Sequence, residues 1–241
     1  MKKSLIFFAL TLCLFSVPLI AVEYRDINIY LKFSPELNDY IASFNTHLKS
    51  DGLIKKYDLK PFLENHPVHL SLYLTTYNTA NLPAITEAVK KLSDELKKFR
   101  IKAIKIESSA SNFVILDVDN SKLADGSNNT LQIYSDKVVD VLNNLRYKQS
   151  VIPAWANAFP DKKKAFELYG SPNVYMQFNP HFSILAAVVP KDKEKEYLAD
   201  MDKSIKSFSQ KTIEAEAVSI GVGYVDSNGQ VTEEIASFPL K

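Results

Sequence analysis

Pro67-Val68-His69-Leu70-Ser71-Leu72-Tyr73-Leu74 and Asn179-Pro180-His181-Phe182-Ser183-Ile184-Leu185-Ala186 are the two stretches that decide how this 241-residue chain is read. In each, a histidine, an apolar residue and a serine are followed by more apolar residues. Strand side chains alternate faces, so His69 and Ser71 share one face while Leu70, Leu72 and Leu74 take the other. His181 and Ser183 are set in the same way against Phe182, Ile184 and Ala186. Each stretch presents one imidazole and one hydroxyl to a single surface.

Working outward, the elements around the two stretches repeat. Residues 25 to 33 alternate, with Ile27, Ile29, Leu31 and Phe33 on one face and Asp26, Asn28 and Lys32 on the other, as in a half-buried strand. Ser34 stands as an N-cap before Pro35, and Leu37, Ile41, Phe44 and Leu48 recur at helical spacing up to a stop near Gly52. After the His69 strand comes a helix with Ile85, Val89, Leu92, Leu96 and Phe99 on one stripe, then strands near 101 to 107 and 112 to 118. The order then starts again. Leu131 to Tyr134 reads as a short strand and Ser135 as the cap of a helix showing Val138, Val141, Leu142 and Leu145. The His181 strand follows, then a helix with Tyr197, Met201, Ile205 and Phe208. Strands near 213 to 225 and 230 to 238 close the chain, joined by the turn Asp226-Ser227-Asn228-Gly229. His69 precedes the strand at Ile101 by 32 positions, and His181 precedes the strand at Ile213 by the same 32.

A repeat of only two units implies two packed lobes, each a small antiparallel sheet with helices outside, and a cleft between them. The expected fold class is therefore α+β. Lobe one is expected over about 24 to 119 and lobe two over about 120 to 241. The segment from about 147 to 179 has no counterpart before His69 and reads as an insertion near the cleft mouth. It carries Trp155, Lys162 to Lys164 and a short helix over 161 to 170.

The N-terminus has the order of an export signal: Lys2 and Lys3, an apolar run from Leu5 to Leu14, then small or uncharged residues from Ser16 to Ala21. The expectation is cleavage after Ala21, leaving residues 22 to 241 as one bilobal domain, periplasmic or secreted, without a stable membrane span. An uncleaved anchor is the competing reading, which Pro18 and the short apolar core disfavour. Cys13 is the only cysteine and falls in the leader. The mature chain then has no disulfide, thiolate nucleophile or cysteine-bound metal. With 29 basic against 28 acidic residues there is no field to hold duplex DNA, and a small nucleotide or an RNA end fits better.

Cleaving a phosphodiester needs a base for the attacking oxygen, an acid for the leaving oxygen and donors for the non-bridging oxygens. Two histidines and two serines are that set. Imidazoles titrating near pH 6.5 allow one neutral and one protonated ring to coexist near neutrality. One His-x-Ser tripeptide is common as ordinary core or surface sequence. Two copies at matching places of a repeat, in a chain of four histidines, are not.

With these residues the chain resembles the 2H phosphoesterase superfamily, whose members include RNA 2′,3′-cyclic phosphodiesterases, the bacterial "2′-5′ RNA ligase" proteins and eukaryotic enzymes that trim RNA 3′ ends. The match is specific at the two tripeptides, which here carry Ser where many members carry Thr. The resemblance implies a bilobal fold, His69 and His181 as acid and base, Ser71 and Ser183 as phosphate holders, and a reaction without cofactor or metal. The 112 positions between the histidines, and the export signal, depart from compact bacterial members and leave the substrate open. A nucleotide-binding protein of the same fold without turnover, and an exported effector working through its insertion, are the alternatives.

Other residues are secondary candidates. Tyr73, on the face of His69, and Tyr175 and Phe178, before His181, are candidates for stacking on a base or for packing the cleft wall. His66 and His69 have a metal-like spacing, but Pro67 between them forces extended backbone and turns them apart, so no metal site is expected. His47 reads as a solvated helix residue, and Lys162 to Lys164 as a solvated helix face.

Overall fold

A computed structural model describes residues 23–109 and 112–241, so the export signal expected over residues 1 to 21 lies outside the described residues. The chain runs β1 (Tyr24–Phe33), α1 (Glu36–Ser50), α2 (Leu53–Lys56), β2 (Leu70–Asn78), α3 (Leu82–Glu95), β3 (Phe99–Ser108) and β4 (Phe113–Val118). It continues as α4 (Thr130–Leu142), α5 (Pro160–Tyr169), β5 (His181–Ala186), α6 (Glu194–Ser207), β6 (Ile213–Val225) and β7 (Val231–Pro239). No described helix is long and apolar enough to cross a membrane.

Apolar spacing carries most of these elements. In α1, Leu37, Ile41, Phe44 and Leu48 are fully buried, as their i, i+4, i+7 recurrence requires. Three local readings change. Phe99 does not extend the stripe of α3, which ends at Glu95, but opens β3. Ser34 does not cap α1: its hydroxyl accepts from the Glu216 amide at 3.0 Å, tying the β1–α1 junction to β6. Leu131–Tyr134 is not a strand but the first turn of α4. The Asn129 side chain caps that helix by accepting from the Gln132 amide at 2.9 Å, and Ser135, fully buried inside it, donates to the Leu72 carbonyl at 3.0 Å. A four-residue apolar run has no period of its own, so the cap decides.

The strands form one seven-stranded antiparallel sheet in the order β2-β1-β6-β3-β4-β5, with β7 also paired to β6. β6, 13 residues long, holds the sheet together. Its first part pairs with β3 from Ile213 to Ala217, and its remainder pairs with β7 from Ser219 to Val225 on the same edge. β1 runs along the opposite edge from Ala217 to Tyr224. One arm of the sheet is thus β2-β1-β6-β7 and the other β6-β3-β4-β5. The arms are not the two halves of the chain, because β3 and β4 join β5 while β1 and β2 join β6 and β7. Each half lends strands to both arms, which makes the lobes inseparable. Helices α1 and α6 pack together against β3 and β6, and α3 and α4 lie against β2, β6 and β7.

The sheet also curls. With neighbouring strands about 4.8 Å apart, the edge strands β2 and β5 would lie about 24 Å apart in a flat sheet. Cα atoms of the two strands instead come within 8 Å of each other. Phe33 of β1 meets Phe182 of β5 edge-on at 5.2 Å across the closure.

Close approach on the concave face depends on Gly221. A Cβ there would lie 2.5 Å from the Tyr30 ring, which is fully buried over it. Gly221→Ala is expected to cost about 1–3 kcal/mol in urea denaturation. The cost should largely vanish in a Tyr30→Ala background, because the two residues compete for one volume.

Candidate active site

The curled sheet brings together the two edge strands that carry the His-x-Ser pairs, and His69 lies near enough to His181 to feel its charge. His69 lies immediately before β2 and is 7% exposed; His181 opens β5 and is partly exposed. Their settings match. His69 Nδ1 lies 3.0 Å from the Pro67 carbonyl and His181 Nδ1 lies 2.8 Å from the Asn179 carbonyl, in each case two residues back along the chain. A carbonyl oxygen only accepts, so Nδ1 carries the hydrogen in both neutral rings, and the Gly229 carbonyl also reaches the His69 ring.

Burial pushes both imidazoles below their ordinary range. For His69 the carbonyls of Pro67 and Gly229 partly offset burial, while the positive charge of His181 adds to the depression, as does that of His66. For His181 the Asn179 carbonyl opposes burial and the charge of Lys162 adds to it. His69 therefore feels the charge of His181.

Ser71 Oγ accepts from Asn28 Nδ2 at 2.7 Å, which leaves the serine hydrogen free to donate. Asn28 is fully buried on β1, and its Oδ1 has no hydrogen-bond partner. Ser183 is partly exposed on β5. Tyr30 lies edge-on to His69 at 5.4 Å, and its hydroxyl donates to Glu234 at 2.8 Å; Lys32 also reaches Glu234, at 2.9 Å. Burial and Glu234 together raise the Tyr30 hydroxyl, which stays protonated. The polar face of the strand over 25 to 33 was legible in the sequence, but not that it floors a cleft.

The secondary candidates separate. Tyr73 is 1% exposed, its hydroxyl donates to the Tyr169 carbonyl at 2.6 Å, and a register shift in β2 after Ser71 pairs it with Ile29, so it belongs to the core and is not free to stack. Phe178 is 9% exposed and packs in the core. Tyr175 is partly exposed, but its hydroxyl donates to Asp140 at 2.6 Å and its ring rests on Tyr169 at 4.6 Å. Its φ of +50° is a left-handed conformation unusual for a side chain of this size, held by these contacts. His66 turns its Nδ1 to the Val231 carbonyl at 3.1 Å, away from the partner of His69. Among the described residues no group of three His, Cys, Asp or Glu is arranged to hold a metal ion. His47 is not simply solvated: its Nε2 meets the Ser204 carbonyl at 3.0 Å and Asp51 at 3.3 Å, joining α1 to α6.

The insertion spans the two edges of the sheet. Beyond Tyr73, Thr75 of β2 donates to the Gly170 carbonyl at 2.8 Å, and Arg146 donates to the Leu168 carbonyl at 3.0 Å. Gly170 sits at φ +69°, and a Cβ there would meet Thr75 Oγ1 at 2.6 Å. The other end of α5 carries Lys162, whose charge reaches His181.

A carboxyl pair shares the His181 face. Asp117 pairs in register with His181 across β4 and β5, and Lys105 pairs with Asp117 across β3 and β4. Burial first, then the neighbouring Glu107, pushes Asp117 up to about 6. A carboxyl raised in the folded state favours folding at low pH, and that contribution is lost as pH rises through 6. Asp117→Asn is therefore expected to raise Tm most at pH 7 to 8, with the gain shrinking towards pH 4 in thermal denaturation series. A gain independent of pH would mean that Asp117 is not held protonated.

No family model matches the sequence, and no curated protein matches it either. Solved structures do. TT0787 of Thermus thermophilus aligns with a TM-score of 0.51 at 12% identity, over 89% of this chain and 97% of that one. Escherichia coli LigT, in a complex with ATP, aligns with a TM-score of 0.47 at 9% identity, over 91% and 99%. Usb1 of Kluyveromyces marxianus aligns with a TM-score of 0.46 at 10% identity, over 90% and 97%. The likeness to TT0787 extends over nearly the whole of both chains, and this chain shares its fold.

Proposed function

We propose that the chain is a phosphodiesterase that acts on a cyclic phosphate or an RNA-like phosphodiester through His69 and His181, without a metal. The observation that carries this reading is the matched setting of the two histidines. Each has Nδ1 tied to the carbonyl two residues back and a serine two positions on. In hydrolysis, His69 Nε2 takes a proton from water as its oxygen attacks phosphorus. The bond from phosphorus to the leaving sugar oxygen breaks, and that oxygen takes the proton of His181 Nε2. Ser71 and Ser183 donate to the non-bridging oxygens. Burial supports His69 as the base, because the deeper ring is the one kept neutral.

His69→Ala and His181→Ala are each expected to lower turnover on the order of 10²-fold or more, and the double variant to lose far less than the product. Ser71→Ala and Ser183→Ala should each cost on the order of 1 to 3 kcal/mol in kcat/KM. Asn28→Ala should act in the same direction as Ser71→Ala. Activity should survive chelator. Wild-type turnover in His181→Ala, or loss with chelator that a divalent ion restores, would overturn the assignment.

Activity falls at low pH as His69 is protonated and at high pH as His181 loses its proton. Both groups are depressed, so the bell is expected on the acid side of 6.5 rather than around neutrality. An optimum above pH 8 would contradict the buried-pair assignment.

Export belongs to the same reading: Lys2, Lys3 and the apolar run from Leu5 support a leader removed after Ala21, with the mature protein periplasmic or secreted. Intact-mass measurement of the exported protein should give a chain beginning near Val22. Retention of Met1 would overturn it.

A further inference from the structure

Among the described residues, Lys162 is the cation whose charge is felt at His181, and its surroundings are unusual for a lysine. It is half-buried, and burial depresses it; among the described residues no carboxylate pairs with it. Its Nζ donates to Asn173 at 2.6 Å and lies 5.8 Å from the centre of the Trp155 ring. Trp155 is 47% exposed, on the short 3-10 turn Ala154–Ala158 that packs against α5. An ammonium group held partly out of water without a counter-ion, beside an open indole, matches the two halves of a nucleotide: a phosphate for the cation and a base for the aromatic face. The scissile phosphate already has the donors of Ser71 and Ser183. Lys162 and Trp155 come instead from the inserted segment.

We propose that Trp155 and Lys162 form a second nucleotide subsite, taking the base and phosphate of the residue next to the reacting one, so that oligonucleotide ends are preferred over mononucleotides. The proposal rests on the phosphodiesterase reading for its location beside His181, while its binding chemistry stands apart from turnover. The exposed apolar side chains Val151, Phe159, Leu168 and Met176 on the same segment raise a lipid surface as the competing occupant. The nucleotide is favoured because the lysine is half-buried and bonded to Asn173, where a flat bilayer would not reach it, and because its charge is felt at His181.

The chain has a single tryptophan, so its fluorescence reports on Trp155 alone. Titrating the full-length protein with a dinucleotide 3′-phosphate should quench this emission, and a mononucleoside phosphate should do so about tenfold more weakly. Lys162→Gln should weaken the dinucleotide by about tenfold, and Lys162→Arg should restore most of it. In turnover, the ratio of kcat/KM for a dinucleotide ending in a 2′,3′-cyclic phosphate to that for a mononucleoside 2′,3′-cyclic phosphate should fall about tenfold in Trp155→Ala and in Lys162→Gln. A histidine titration followed by NMR should show His181 moving upward in Lys162→Gln, a change that a merely structural lysine would not produce. Equal losses on both substrates with no change in quenching selectivity would overturn the subsite, as would quenching by anionic phospholipid vesicles but not by dinucleotide. Quenching with the expected selectivity in a protein that turns over neither substrate would instead count against the phosphodiesterase reading and leave the subsite standing.

Discussion

The structure depends above all on the hydrogen-bonding of β6 along both its edges. One strand of 13 residues serves β1 on one side and, in succession, β3 and β7 on the other. A strand shared in this way cannot be withdrawn from one lobe without opening the other, because each unpaired backbone group inside the sheet would cost about 1–3 kcal/mol. It also fixes the direction of the two arms, and with it the closure that brings β2 and β5 together. The histidines stand at the two edges farthest apart in strand order, so their meeting depends on this closure.

The electrostatics of the cleft follow from what surrounds the imidazoles. Each ring is desolvated and given a backbone carbonyl instead of a carboxylate, so its positive form is only partly supported. The charge of His181 further disfavours the protonated form of His69. The carboxyls on the same face do not simply offset this. Asp117 is itself pushed towards its neutral form by burial and by Glu107.

The inserted segment acts as a brace. Through Tyr169 and Gly170 it is bound to the middle of β2, and through Asn173, Asn179 and Pro180 it runs directly into β5. It therefore spans the same gap that sheet closure narrows, and the left-handed residues Gly170 and Tyr175 mark where it turns.

By itself the sequence determined the elements and the four polar residues with matching chemistry. Alternation around Ile27, Leu70 and Phe182, helical spacing in Leu37 to Leu48 and the Asp226 to Gly229 turn are local properties, and each survived folding. The matched His-x-Ser spacing was legible because strand alternation converts two positions in sequence into one shared face. Tertiary structure alone decided the rest. Which strands pair depends on contacts between distant residues, so the exchange of β3 and β4 for β6 and β7 between halves left no local mark. Leu131 to Tyr134 became helix because Asn129 caps it, Tyr73 and Phe178 were taken by the core, and Asn28 and Lys162 gained their places beside Ser71 and His181. Burial and proximity are sums over the whole fold, and no window of sequence contains them.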